Sequence, residues 1–199
     1  MRLPSTAHTS RPWRIHELTP DFRLEDVWAL PTPGGPEDFG HLVRLIAAGN
    51  TSASATGAAR ALWVIRLKLG EMLGWDADLG PGRPSLRGRL PADLPDPGPD
   101  FQERSFTSLY LTADEYAAEI VNRTVHGVLH LGWVPDGAGR YHGQLAVLVK
   151  PNGLLGAAYM AAIKPFRHLI VYPPMIRQLG QAWRGRGHGA GASPAPARS

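Results

Sequence analysis

Between Phe106 and Lys150, apolar and polar residues alternate in four runs, FTSLYLT, EYAAEIV, VHGVLHLGWV and YHGQLAVLVK. Each run has strand length, and the breaks between them are turn-formers: Thr112-Ala113-Asp114, Asn122-Arg123-Thr124 and Pro135-Asp136-Gly137-Ala138-Gly139. Connections this short join antiparallel strands, because a parallel crossover needs a dozen or more residues. The pattern therefore predicts an antiparallel meander and excludes a doubly wound nucleotide-binding fold. In the third run Val125, Leu129, Leu131 and Trp133 share one pleat face, and in the fourth Leu145, Val147 and Val149 do, which gives each strand a core side.

Upstream, Trp13, Ile15 and Leu18 set around Arg14 and His16 predict a short first strand. Thr19-Pro20-Asp21 reads as a helix start, with a capping hydroxyl, a proline at the first helical position and an acid at the positive end of the dipole. Phe22, Val27 and Trp28 would be its buried side. The PTPGGP run at 31–36 ends that element, and Phe39, Leu42, Val43 and Ile46 predict a second short helix. After a loop of small residues at 47–57, a stripe of Leu62, Ile65, Leu69, Met72 and Leu73 predicts a third. A Pro/Gly-rich loop then fills 77–105, with the length of either a lid or a disordered segment.

Downstream, an Asn-Gly turn at Asn152 and Gly153 stops the last strand, and a long apolar stretch runs to Trp183, interrupted by Pro165 and by Pro173-Pro174. It predicts a long C-terminal helix laid against the sheet. Pro165 lacks the N–H that would bond back to Ala161, so the helix should bend or restart at the prolines.

Composition narrows the setting. The 199 residues suffice for one sizeable core, drawn here as a single domain over 12–184 with flexible tails at 1–11 and 185–199. The absence of cysteine excludes disulfides and thiolate metal sites. With no apolar leader at the start and no unbroken run of eighteen apolar residues, the expectation is a soluble cytoplasmic protein without membrane insertion. The net charge of +4 includes Arg184, Arg186 and Arg198 of the C-terminal end, and no basic stripe with interleaved aromatics appears elsewhere, so no nucleic-acid partner is expected. No strand-GxGxxG-helix unit is present, and neither a cofactor nor a metal is expected.

A strand, three helical segments, an antiparallel meander and a long final helix follow one another as in the helix-grip superfamily, which includes the START, birch-allergen-like and polyketide cyclase (SRPBCC-like) proteins. More closely, Pro151-Asn152-Gly153-Leu154-Leu155-Gly156, Tyr159 and Lys164-Pro165-Phe166-Arg167-His168, together with AEIVNRTVHGVLHLGWV at 118–134, resemble a bacterial family known as Domain of Unknown Function 2867. The resemblance covers most of residues 12–183 and extends more weakly to PWRIHEL and DVWALP near the start. It implies an α+β helix-grip fold, in which a curved antiparallel sheet wraps around a long C-terminal helix with short helices after the first strand. It also implies a cavity between sheet and helix that takes lipids, sterols, polyketides or other apolar metabolites.

The residues permit such a cavity. Gly156, Ala157, Ala158, Ala161 and Ala162 are small enough to leave space beneath the helix, while Tyr159, Met160, Phe166 and Tyr172 supply larger walls. The expected ligand-binding residues are Tyr110, Leu129, Trp133, Leu145, Val147, Tyr159, Met160 and Phe166. The alternative is a solid core filled by the same side chains. For an enzyme of the polyketide cyclase or aromatase kind, the acid-base residues to consider are Lys164, His168, Tyr159 and Glu119; a partner-binding protein without ligand is a third reading. Other polar positions are Asn122, Arg123, His126 and His130. The two histidines stand about 13 Å apart at ~3.3 Å per residue, too far to share a metal directly, and alternation sets them opposite the apolar face, where exposure is expected.

Overall fold

The computed structural model describes residues 1–48, 85–94, 97–101, 106–122, 125–153, 156, 160 and 172–189. Five antiparallel strands, β1 (Arg23–Ala29), β2 (Thr107–Leu111), β3 (Glu115–Val121), β4 (Val125–Pro135) and β5 (Tyr141–Pro151), form one open sheet in the order β1-β5-β4-β3-β2. The described residues include the helices α1 (Thr6–Thr9), α2 (Ile15–Leu18), α3 (Phe39–Ala47) and α4 (Tyr172–Gly189), so the class is α+β. None of the described helices is long and apolar enough to cross a membrane.

The meander follows its sequence pattern. Thr112 Oγ1 accepts from the Glu115 amide at 2.9 Å in the β2–β3 turn, and Asp136 Oδ1 accepts from the Ala138 and Arg140 amides in the β4–β5 turn. In that second turn Gly137 and Gly139 take φ of 82° and 74°, a region closed to most side chains. The β4–β5 ladder sets Leu129 opposite Val147, Leu131 opposite Leu145 and His130 opposite Ala146.

Both faces of the sheet are covered. On one, Tyr116, Ala118, Leu131, Trp133 and Leu145 pack with Phe39, Leu42 and Val43 of α3 and Tyr172, Ile176, Leu179 and Trp183 of α4. The α4 residues recur every three or four positions, which forms one buried stripe. Trp183 Nε1 donates to the Pro33 carbonyl at 2.9 Å and Trp133 Nε1 to that of Gly35 at 3.0 Å, so the polar edges of both indoles are satisfied. On the other face, Val27, Leu109, Ala117, Val128, Ala146 and Leu148 pack with Trp13, Ile15, Leu18 and Leu86. Glycines let the covering layers come close: a Cβ at Gly132 would lie 2.8 Å from the Trp13 ring, and one at Gly143 2.6 Å from Leu42.

Five expectations change. Residues 15–18 are a helical turn and not the first strand. The Thr19 hydroxyl donates back to the Ile15 carbonyl at 2.7 Å, so Thr19 closes a helix and does not open one. The segment after it, expected as a helix, is β1. Its ladder shifts between Leu24, opposite Leu148, and Asp26, opposite Val147, and this bulge places Leu24 and Val27 on one face at a spacing that imitates a helix. The amino-terminal residues are no loose tail: Leu3 N donates to Val27 O at 2.8 Å, Ala29 N donates to Met1 O at 2.8 Å, and His8 is 1% exposed. At the other end α4 runs to Gly189, beyond the expected domain end at 184, with Pro173 and Pro174 in its first turn, where a missing N–H leaves no helical bond unmade.

Within the 77–105 stretch, Ser85 caps a 3-10 turn at Leu86–Arg89 that buries Leu86, and Tyr116 Oη donates to the Pro99 carbonyl at 2.8 Å. Those parts of the loop are seated on the sheet. The third helix expected over 58–73 lies outside the described residues.

Candidate functional site

The helix-side face of the sheet is closed at one end and half-open at the other. Leu131, Trp133 and Leu145 are buried under α3 and α4. One register step along, Leu129 and Val147, neighbours across β4 and β5, are only half-buried, as are Ile120 of β3 and Val125 of β4. β4 is the central strand, where burial is ordinarily deepest, and on the reverse face His130 and Ala146 are both at 0% exposure. The half-buried floor is therefore a local patch of one face, bounded on β5 by Leu145 and Val149, each 3% exposed.

Beside it, β1 contributes Trp28 and a buried acid, Asp26, at 2% exposure. Tyr172 Oη donates to Asp26 Oδ2 at 3.2 Å, and its ring lies 5.0 Å from that of Trp28. The β1 bulge aims this carboxyl at the helix side, since it sets Asp26 opposite Val147. An apolar floor with one carboxyl and phenol at its edge has the make-up of small-molecule sites, which combine apolar walls with a few placed polar groups.

The residues expected to bind ligand divide accordingly. Leu129 and Val147 belong to the half-open end, and Trp133 and Leu145 to the closed end. Tyr110 is on the opposite face, because the β2 ladder shifts between Ser108 and Tyr110 and sets Tyr110 across from Ala117. Met160 and Gly156 are helical and buried. Tyr159, Phe166, Lys164, His168 and Arg123 lie outside the described residues. Asn122 serves the β3–β4 turn, its Oδ1 accepting from Val125 N at 2.9 Å.

Alternation correctly puts His126 and His130 opposite Leu129 and Leu131, yet neither is exposed, at 5% and 0%. Each is buried beside a carboxylate of β3. His126 Nε2 lies 2.8 Å from Glu119 Oε2, and His130 Nε2 lies 3.1 Å from Glu115 Oε2. The antiparallel register makes both pairs, since positions 115, 117 and 119 of β3 share a face with 132, 130, 128 and 126 of β4.

Glu119 also accepts from the Ser85 hydroxyl and, at 2.9 Å, from Leu86 N. Glu115 accepts from Arg14 N at 2.9 Å and Tyr110 Oη at 3.0 Å. Burial alone would raise both carboxyl pKa values, but the hydrogen bonds from histidine, backbone and hydroxyl donors outweigh it and hold them below the usual range. Burial beside Glu115 pushes the Tyr110 phenol up.

The Ser85 hydroxyl donates to Glu119 and not to an imidazole. Glu119 is thus placed as a buried anchor that fastens Leu86 and His126 to β3. Among the described residues no group of three or more His, Asp or Glu is arranged to hold a metal.

His130 Nδ1 lies 3.1 Å from His8 Nε2, and His8 Nδ1 lies 3.2 Å from His16 Nε2. Burial, reinforced by the neighbouring imidazoles, takes the His8 pKa from 6.5 down to about 3, and burial lowers that of His16 as well. Sequence reasoning missed both, because hydrophobic periodicity carries no signal for histidines buried by bonding to each other. It also missed Asp26, which fell in a segment read as helix.

The sequence was compared with known families, curated proteins and solved structures. The model of DUF2867, a protein family of unknown function, matches residues 18–174. No curated protein and no solved structure matches the chain.

Proposed function

The chain belongs to the DUF2867 family, and we propose that it binds an apolar small molecule on the half-open end of the sheet, in a helix-grip arrangement with the C-terminal helical region as the second wall. One observation carries this reading: Leu129 and Val147, in the middle of the two central strands, are half-buried, while their neighbours Leu131, Leu145, His130 and Ala146 are buried. Leaving apolar side chains half-wet at the centre of a sheet forgoes burial worth roughly 25 cal/mol per Å². A ligand covering Ile120, Val125, Leu129 and Val147 recovers it.

The ligand's chemistry follows from the lining. Its body is apolar, a lipid, polyketide or similar metabolite. A hydroxyl at one end would meet the Asp26 carboxyl and the Tyr172 phenol oxygen, both able to accept while the phenol proton is donated to Asp26. A carrier role fits this lining better than a cyclase role, because Glu119, the described member of the acid-base residues considered above, is anchored on the opposite face. Native mass spectrometry and solvent extraction of the purified protein test the reading. An apolar co-purifying compound released on denaturation supports it, and a protein that neither carries nor takes up any apolar compound contradicts it.

A further inference from the structure

The amino-terminal segment is fastened to the sheet by three imidazoles in line. His130 Nε2 is 3.1 Å from Glu115 Oε2, His8 Nε2 is 3.1 Å from His130 Nδ1, and His16 Nε2 is 3.2 Å from His8 Nδ1. An ionised carboxylate offers only lone pairs, so His130 carries its hydrogen on Nε2 and accepts at Nδ1. His8 must then donate from Nε2 and accept at Nδ1, and His16 must donate from Nε2. With all three rings neutral, every tautomer in the line is fixed.

That order limits proton uptake. One extra proton fits on Nδ1 of His16, beyond the last hydrogen bond, and breaks none of them. A second, on His8 or His130, would set N–H against N–H. Detached from the sheet, the three imidazoles titrate independently, so detachment takes up about two more protons in acid.

The line is the titrating part of this segment's attachment, beside the backbone bonds of Met1 and Leu3 and the burial of Trp13, Ile15 and Leu18. His8 lies in α1, His16 in α2, and between them Trp13 abuts the His130 ring at 5.4 Å, while Arg14 N donates to the other oxygen of Glu115. Beneath lie Ala117, Val128 and Ala146 of the sheet. We propose that His8, His16 and His130 make residues 1–18 an acid-released strap over this face of the sheet.

The groups facing the line act in the same sense or are fixed in charge. Glu115 of β3 and Tyr110 of β2 close its buried end. Arg14, paired with Asp93 at 3.0 Å and Glu17 at 3.3 Å, and Arg11, 5.8 Å over the Trp13 ring, flank it on the strap, and His142 of β5, its pKa lowered by burial and by Arg11, acts in the same sense as the line. Both arginines stay cationic throughout and oppose further positive charge nearby. For His8 the attached value of about 3 against 6.5 when detached means that the attachment is at full strength above pH 6.5 and weakens as the pH falls toward 3. The carboxylate of Glu115, held below its usual range, begins to matter only at lower pH.

Hydrogen exchange by NMR on the full chain tests this, with protection factors corrected for the intrinsic pH dependence of exchange. Between pH 7 and pH 5 the amides of Ser10, His16 and Thr19 should lose protection by at least about twentyfold and up to several hundred-fold, the range given by one to two protons taken up on release, while Val128 and Leu131 of β4 hold theirs. His8→Gln, which retains a donor and an acceptor without a titrating ring, should reduce that loss at least threefold. Should it fail to fold, His130→Gln, which likewise removes an imidazole that the attached line keeps from charging, carries the same expectation. Equal loss in strap and β4, no loss, or an undiminished loss in the folded variant would overturn the proposal.

Discussion

His126 on β4 and Glu119 on β3 meet at 2.8 Å beneath the turn that begins at Ser85, although neither is the other's direct ladder partner: Glu119 pairs with Val128, and His126 with Val121. The contact is diagonal across the strands, and the carboxylate at its centre also receives the Ser85 hydroxyl and the Leu86 amide. One acid thus fastens a strand, its neighbour and the loop above them.

Replacing that acid should therefore cost more than replacing any one of its donors. Glu119→Ala leaves the Leu86 N–H and the imidazole without their acceptor and should lower stability by about 3–5 kcal/mol. Ser85→Ala should cost about 1 kcal/mol. Urea unfolding followed by circular dichroism measures both, and similar small losses in the two variants would show that Glu119 is not the anchor described here.

The pH dependence of thermal stability follows from the same groups. His8, His16, Glu115 and Glu119 all have lowered pKa values in the folded protein, so each contributes stability that is complete above its unfolded value and is lost as pH falls. The melting temperature should be nearly level from pH 8 to 6.5. It should fall first across the imidazole range, and more steeply below about 4.5, where detached carboxylates begin to take up protons. A calorimetric profile that rises on acidification between 6.5 and 5 would contradict these assignments.

The closed and half-open ends of the helix-side face should respond differently to truncation. Trp133 is 2% exposed, stacks on Tyr141 with centroids 6.1 Å apart, and meets both Phe39 and Trp183 at 6.0 Å. Trp133→Ala should cost roughly 3–5 kcal/mol. Leu129→Ala, at a half-wet position, should cost less than about 2 kcal/mol. Denaturant midpoints that place Leu129 level with Trp133 would mean that the floor is an ordinary core.

What the sequence revealed, and what it hid, follows from particular residues. Strands β2 to β5 were legible because period-two alternation and turn residues agree over 106–150. Strand β1 was not, because its bulge moves Leu24 and Val27 to a helical spacing and because Thr19, a good N-cap, is used at a helix end. The faces of His126 and His130 were read correctly and their burial was not: a meander with polar residues on one face reads as half-solvated, whereas here the first eighteen residues, Phe22 and the turn at Leu86–Arg89 cover that face. Leu129 and Val147 were legible as core-side residues, but only the packing of α3 and α4 separates them from Leu131, Leu145 and Trp133. Asp26 and the imidazole line depend on long-range register and charge pairing, which a single sequence does not display.

The most direct test of ligand binding fills the floor and asks whether uptake stops. An uncharged environment-sensitive probe, N-phenyl-1-naphthylamine, is titrated into the wild-type protein and into Leu129→Trp, whose larger side chain would occupy the half-open space, with circular dichroism confirming that both are folded. Saturable fluorescence enhancement is expected with the wild type, and at least a tenfold loss of affinity in Leu129→Trp. Probe binding that is absent from the wild type, or equal in the two folded proteins, would contradict ligand binding on this floor.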